Sequence, residues 1–400
     1  MNISFGRIAI VLGLLAAVGP FAIDMYLPAL PTMVADLNAT TALGQMTLTA
    51  FFVPFGVCQL AYGPISDMVG RKPPLFFGLV CFMAASVGCA LAPNIDSLIA
   101  FRVLQGIGAS CMMVIPRAVI RDLHTGVEAA RLMALVMLVF SVCPILAPLI
   151  GSALIIPFGW RAVFVAVIVA SAAGIVLVKV FLPETRLPQD RVNVSARAVL
   201  SGFGRLLRDQ HFLGLTFMGG LGMCSFFSFL ANSSFVYIEH FDLTPTQFSF
   251  AFSVNAIGFI GASQFASRLG VRFGLTRVVQ IAVACYTICA YILFAGVTFG
   301  PDNMWLLMAL LFPTFAFTGL IVPTTMILAL EHHGPIAGMA SALGGTLQMV
   351  AGGAMITIVS QFTDGTPVPM VTAIAVCATG VAILTYFTLG QPELASAGAE

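Results

Sequence analysis

Long apolar runs alternate with short polar breaks from one end of the chain to the other. Each run is about 20 residues or more, the length an α-helix needs to cross a bilayer. Twelve can be read, over about 8–30, 43–65, 74–92, 97–120, 132–156, 161–182, 211–232, 246–268, 275–297, 303–329, 335–360 and 368–389. Pro, Gly, Asn, Asp and charged residues punctuate them. The first run follows Arg7 as a secretory leader would, but it is too long for a leader's apolar core and lacks a small-x-small cleavage site, so it is expected to remain as a span. The longest hydrophilic stretch, Pro183–Gln210, leaves six runs on either side. The expected organisation is an all-α membrane protein: an N-terminal six-helix bundle over 1–182, a central loop over 183–210 and a second six-helix bundle over 211–400.

Composition supports this reading. The chain is 60% hydrophobic and 8% charged, whereas soluble domains carry roughly a quarter charged residues. A net charge of +1 without a dense basic cluster gives no reason to expect a nucleic-acid partner. The basic residues set an orientation. With a cytoplasmic N-terminus, Arg7, Arg71, Lys72, Arg121, Arg131, Lys179, Arg186, Arg191, Arg197, Arg205, Arg208, Arg268, Arg272 and Arg277 all fall on the cytoplasmic side, and only Arg161 falls outside. That bias follows the positive-inside rule and places both termini in the cytoplasm. The nine cysteines lie almost all in apolar runs without paired ligand spacing and read as small packing residues. Glu331-His332-His333 lacks the further ligands a metal would need.

The candidate chemistry begins with a misplaced charge. Asp24 lies inside the first apolar run, in Phe21-Ala-Ile-Asp-Met-Tyr-Leu-Pro-Ala-Leu-Pro31. A carboxylate away from water is costly, so it either marks a function or is not truly buried, and Asp24 is read as the functional centre. Pro28 and Pro31 are expected to break or kink its helix. In the fourth run, Arg102, Gln105, Gly106, Ala109, Met113 and Pro116 recur at helical spacing and share a face. At about 1.5 Å per residue, Arg102 lies roughly 7 Å below the outer face and Asp24 roughly 24 Å from the inner face of a ~30 Å core. The two share a depth, so a pair between them, direct or through water, is sterically allowed. Arg117, followed by Arg121-Asp122, lies near the cytoplasmic boundary.

Between the second and third runs lies Gly63-Pro-Ile-Ser-Asp-Met-Val-Gly-Arg-Lys72. Its glycines suit a tight turn and close helix approach. Asp67 can cap the third span or meet a cation, and Arg71 can reach Asp122. Half a chain later, Ser263-Gln-Phe-Ala-Ser-Arg-Leu-Gly-Val-Arg272 repeats part of the pattern, Gly270 matching Gly70 and Arg272 matching Lys72, with Ser267 in place of Asp67. With six spans on each side, this suggests two parallel repeats.

These motifs resemble those of the major facilitator superfamily. Gly63, Asp67, Gly70, Arg71 and Lys72 match its loop 2–3 motif, a cytoplasmic latch. Arg102-x-x-Gln105-Gly106 is similar to its span 4 motif, whose arginine is tied to proton coupling. Cys143-Pro-Ile-Leu-Ala-Pro-Leu-Ile-Gly151-Ser152 resembles its span 5 antiporter motif at Pro148 and Gly151, with Cys143, Ala147 and Ser152 where glycines are usual. Asp24-x-Tyr26-Leu-Pro28, Arg117-Ala-x-x-Arg121-Asp122 and Phe235-Val-Tyr-Ile-Glu239 are similar to the bicyclomycin/chloramphenicol-resistance branch of the drug:proton antiporters. The resemblance implies a multi-pass protein of the bacterial inner membrane, expected as a monomer, that exports small amphipathic drugs of the bicyclomycin, chloramphenicol or sulfonamide kind in exchange for protons. A carrier of a small metabolite with the same fold is the alternative. Asp24 and Arg102 would couple protons, Tyr26, Gln105 and Met113 would meet substrate, and Gly63, Asp67, Gly70, Arg71, Lys72 and Asp122 would form the cytoplasmic gate. The 34 Phe and 19 Met suit an adaptable apolar cavity. No G-x-x-x-x-G-K-[ST], H-E-x-x-H or G-x-S-x-G occurs, so neither ATP hydrolysis nor these hydrolytic chemistries are expected, and no cofactor or metal is implied.

Overall fold

The computed structural model describes residues 5–191 and 195–390. Its first span is two helices, α1 (Phe5–Asp24) and α2 (Leu30–Asp36), joined through a 3-10 turn at Leu27–Ala29. There follow α3 (Thr41–Val69), α4 (Lys72–Leu91), α5 (Ile95–Leu123), α6 (Gly126–Phe158) and α7 (Arg161–Phe181). A short helix, α8 (Ala196–Leu206), lies in the central loop. Then come α9 (Gln210–Phe235) with a π-turn over Val236–His240, α10 (Pro245–Phe273), α11 (Leu275–Phe299), α12 (Met304–Glu331), α13 (Ala337–Ser360) and α14 (Val368–Leu389). Among the described residues, twelve helical segments are long and apolar enough to cross a membrane.

Several helices outrun their apolar stretches. Helix formers that are not apolar continue them, as Glu128 and Arg131 do at the start of α6. Side-chain caps fix other ends: Asn94 accepts from Ser97 N at 2.9 Å before α5, and Asn303 accepts from Trp305 N at 2.8 Å before α12.

Two compact units emerge. The first takes in the chain through Ala198 together with Leu230–Ser253 and Ile356–Gly365; the second holds Val199–Phe229, Val254–Met355 and the chain from Thr366. In the first, α3 packs on α5, α4 on α5 and α7, and α1 on α6. In the second, α11 packs on α12 and α14. By span number, 3 on 4 and 3 on 6 are matched by 9 on 10 and 9 on 12, the pairing that duplicated halves would give.

A finer correspondence lies in two glycines. A Cβ on Gly106 of α5 would stand 2.3 Å from the Phe51 carbonyl oxygen of α3. A Cβ on Gly319 of α12 would stand 2.1 Å from the Phe259 carbonyl oxygen of α10. Only glycine lets these backbones approach so closely.

The loop repeat is different in register from the sequence reading. Gly70 follows α3 at φ +102°, but Gly270 is helical within α10. The glycine that turns the chain after α10 is Gly274, at φ +83°. α10 runs on because Val271, Arg272 and Phe273 continue the helix, so the second turn comes four residues later than the motif spacing suggests.

Candidate functional site

Asp24 is the last residue of α1, where the chain breaks ahead of Pro28 and Pro31. The break is packed closely against α6. Gly151 of α6 has no Cβ, and one there would lie 2.2 Å from the Met25 carbonyl oxygen. The span 5 motif thus supplies the glycine against which span 1 unwinds. The Asp24 side chain is 6% exposed and has no hydrogen bond or ion pair among the described residues.

Arg102 of α5 lies at the same level. Its Nη1 donates to the Ala22 carbonyl, two residues before Asp24, at 3.3 Å, and to Gln105 Oε1 at 2.7 Å. Its Nε donates to the Thr47 carbonyl at 3.3 Å. The guanidinium carbon is 4.9 Å from the Tyr26 ring centroid and 4.6 Å from that of Phe51, close enough for cation–π attraction. Arg102 is 0% exposed, and its Nη2 has no partner among the described residues. The shared depth inferred from helix rise is therefore realised, without a direct Asp24–Arg102 ion pair. Every acceptor around Arg102 is neutral.

Gln105 and Tyr26 belong to this network. Gln105 Nε2 donates to Ser86 Oγ at 2.8 Å. The Tyr26 hydroxyl meets Met33 Sδ at 2.7 Å and Thr47 Oγ1 at 3.0 Å. Both side chains are buried, whereas Met113, two turns of α5 further on, is half-buried with Arg117 Nη2 3.8 Å from its sulfur.

The loop 2–3 cluster has the opposite character. Arg71 Nε and Nη2 donate to Asp122 Oδ2 and Oδ1 at 2.7 and 3.1 Å, a bidentate pair. Nη1 reaches Asp67 Oδ1 and Ser66 Oγ, each at 2.7 Å. Burial works against the Arg71 charge, but the Asp122 hydrogen bond and the two carboxylates outweigh it and hold the guanidinium above its ordinary pKa.

The sequence missed Glu184. Its Oε1 accepts from Arg71 N at 2.7 Å and Arg186 N at 3.0 Å, and its Oε2 accepts from Lys72 N at 3.0 Å. It caps the first turn of α4, the role the sequence offered to Asp67. Thr185 Oγ1 donates to Asp122 Oδ2 at 3.0 Å. Gly70 is needed twice: for its positive φ, and because a Cβ would lie 2.8 Å from Glu184 Oε2. Gly63 sits inside α3 with open space beside it, making neither a turn nor a close approach. The Lys72 ammonium lies 5.9 Å from the Phe76 ring centroid.

At the other end of the first unit, Asp36 Oδ2 accepts from Trp160 Nε1 at 2.9 Å and Arg161 Nη1 at 2.8 Å. The single basic residue assigned to the outer side is thereby paired.

The chain matches the Major Facilitator Superfamily model over residues 12–356. It is 34% identical over 390 residues to an uncharacterized MFS-type transporter YdgK of Bacillus subtilis, covering 97% of this chain and 96% of the relative. It is 27% identical over 399 residues to a bicyclomycin resistance protein homolog of Haemophilus influenzae, covering 97% of each. It is 30% identical over 357 residues to multidrug resistance protein D of Escherichia coli, covering 88% of each. Among solved structures, a D-xylose-proton symporter matches with a TM-score of 0.75 at 16% identity, over 96% of this chain and 98% of that one. The likeness at that identity is one of fold. With twelve membrane-length helices and these relatives, the chain is a multi-pass transporter of the bacterial inner membrane and belongs to the major facilitator superfamily.

Proposed function

We propose that this transporter exports small amphipathic drugs in exchange for protons, Asp24 being the group that carries the proton. The relatives named for bicyclomycin and multidrug resistance support the substrate class. The observation that carries the coupling is the isolation of Asp24: a buried carboxylate at a helix break, without a donor or a cation among the described residues, level with an arginine whose acceptors are all neutral. An ionised carboxylate in that position is expensive, and an approach by Arg102 would offset the cost. The two states of Asp24, neutral and apart or ionised and near Arg102, are what an exchange of drug against proton requires.

Gln105 and Tyr26 would report substrate to Arg102, which they already touch, and Met113 would line the half-buried part of the path. The halves 1–182 and 211–400 would rock about the central loop 183–210 to expose this level to either side. The Asp67–Arg71–Asp122 cluster, with Gly63, Gly70 and Lys72 in the same loop, would be the cytoplasmic gate. Everted membrane vesicles test the reading. An imposed inward-acid gradient should drive chloramphenicol or bicyclomycin accumulation that collapses with a protonophore. Accumulation indifferent to the gradient would overturn it.

A further inference from the structure

A set of hydrogen bonds in the first compact unit ties the first six spans to the last six. Gln45 Nε2 of α3 donates to Asn232 Oδ1 at 2.9 Å and to the Ala231 carbonyl at 3.2 Å, both of α9. Within the last six spans, Thr363 Oγ1, just past α13, donates to the same Asn232 oxygen at 3.3 Å and so holds the acceptor that Gln45 meets. Thr357 Oγ1 of α13 donates to Thr49 Oγ1 of α3 at 3.3 Å. On α10, Ser249 Oγ donates to the Pro148 carbonyl at 2.8 Å, and Ser253 Oγ donates to the Ile145 carbonyl at 2.9 Å, both in the proline-rich stretch of α6. Gln45 and Thr49 stand in the third of α3 that the positive-inside count assigns to the outer face, and Ile145 and Pro148 lie deeper, in the outer half of α6.

These bonds explain an oddity of the fold. The stretches of the last six spans that cluster with the first six are Leu230–Ser253 and Ile356–Gly365. They are the stretches that supply Ala231, Asn232, Ser249, Ser253, Thr357 and Thr363.

We infer that Gln45, Asn232, Thr363 and the Thr49–Thr357 pair form an uncharged outer lock that must open for transport. The inference rests on the rocking mechanism proposed above and names the residues that set its balance. The geometry defines each polarity. Both partners of the Gln45 amide nitrogen are acceptors, so the amide can face them in only one orientation. Gln45 Oε1 is buried and has no partner among the described residues. A lock with one amide oxygen unsatisfied is poised to open, because exposure to water would hydrate that oxygen. Net contributions of neutral hydrogen bonds are small, so each bond shifts the closed-to-open ratio by only about three- to tenfold. A carrier that must cycle needs a closure of that size, and buried ion pairs would hold more firmly.

The Thr49–Thr357 pair gives the test, since cysteine places its sulfur where the threonine oxygen stands. The variant carrying T49C and T357C is oxidised in membranes, with each single variant as control for the nine native cysteines. The lock predicts an intramolecular crosslink that stops drug transport, with transport restored by dithiothreitol. Adding Gln45→Ala or Asn232→Ala should slow crosslinking about fivefold. A merely structural role for Gln45 would leave that rate unchanged. Absence of the crosslink, full transport by the crosslinked protein, or a crosslinking rate indifferent to Gln45→Ala would each overturn the lock. The crosslinking rate needs no substrate, so it reads the lock even if the wild-type chain moves neither chloramphenicol nor bicyclomycin, the outcome that would sink the proposed function instead.

Discussion

Two arginines in the first half of the chain are almost equally hidden, Arg71 at 4% exposure and Arg102 at 0%, and they keep opposite company. Arg71 spends its donors on two carboxylates and a serine, with Glu184 holding its backbone N–H. Arg102 has two carbonyls, one amide oxygen, two aromatic rings and an Nη2 without a partner among the described residues. A buried cation with matched anions is a structural joint. A buried cation with none, level with a carboxylate that also has none, is an unfinished pair. On the function proposed above, the difference separates the part of the molecule that fastens helices from the part that would change charge.

The largest expected effect falls on transport. Asp24→Asn should reduce gradient-driven drug accumulation to the background of vesicles lacking the protein, while leaving the folded yield intact, since the carboxylate holds nothing together. Next comes Arg71→Ala. Removing the guanidinium leaves the half-buried Asp122 without its cation and should cost about 1–3 kcal/mol, read as a lower thermal midpoint of the purified protein. Arg102→Met sharpens the contrast. It removes a buried charge without stranding a carboxylate, so stability should move by less than about 1.5 kcal/mol either way while transport is lost. Equal destabilisation by Arg71→Ala and Arg102→Met would erase the distinction. Glu184→Gln leaves one oxygen to cap α4 and should cost about 1 kcal/mol.

The smallest effect is a pH term at Asp209, which precedes α9. Burial pulls its carboxyl up, but the backbone N–H groups of Phe212 and His211, with His333 at 3.1 Å, outweigh that and hold it below the usual range. A depressed carboxyl contributes stability above its unfolded value, lost as pH falls through its folded one. Asp209→Asn should therefore flatten the fall in thermal midpoint below about pH 4.

What the sequence revealed depended on how local its signal was. Each span announced itself through its own apolar length. The break after Asp24 could be read from Pro28 and Pro31, and the Gly70–Arg71 turn from its motif. The Arg71–Asp122 pair was within reach because two ends assigned to one face had opposite charges. Glu184 was hidden: it lies 113 residues from Arg71 and caps backbone N–H groups, which no side-chain pattern advertises. The outer lock was hidden for the same reason, with Gln45 and Asn232 separated by 187 residues and both neutral. The Gly70–Gly270 match does not extend to the turn itself, because sequence spacing does not record that α10 runs to Phe273 before turning. Tyr26 and Gln105 stood out as polar groups on a span, but only the structure shows them gathered around Arg102.

The most direct measurement is of protons rather than drug. Purified protein in weakly buffered detergent, with a pH-sensitive dye, should release protons when chloramphenicol or bicyclomycin is added. If Asp24 carries the proton and the Arg71 cluster is a joint, Asp24→Asn abolishes that release and Asp122→Asn preserves it. Release that survives in Asp24→Asn, or that vanishes only in Asp122→Asn, would contradict the assignment.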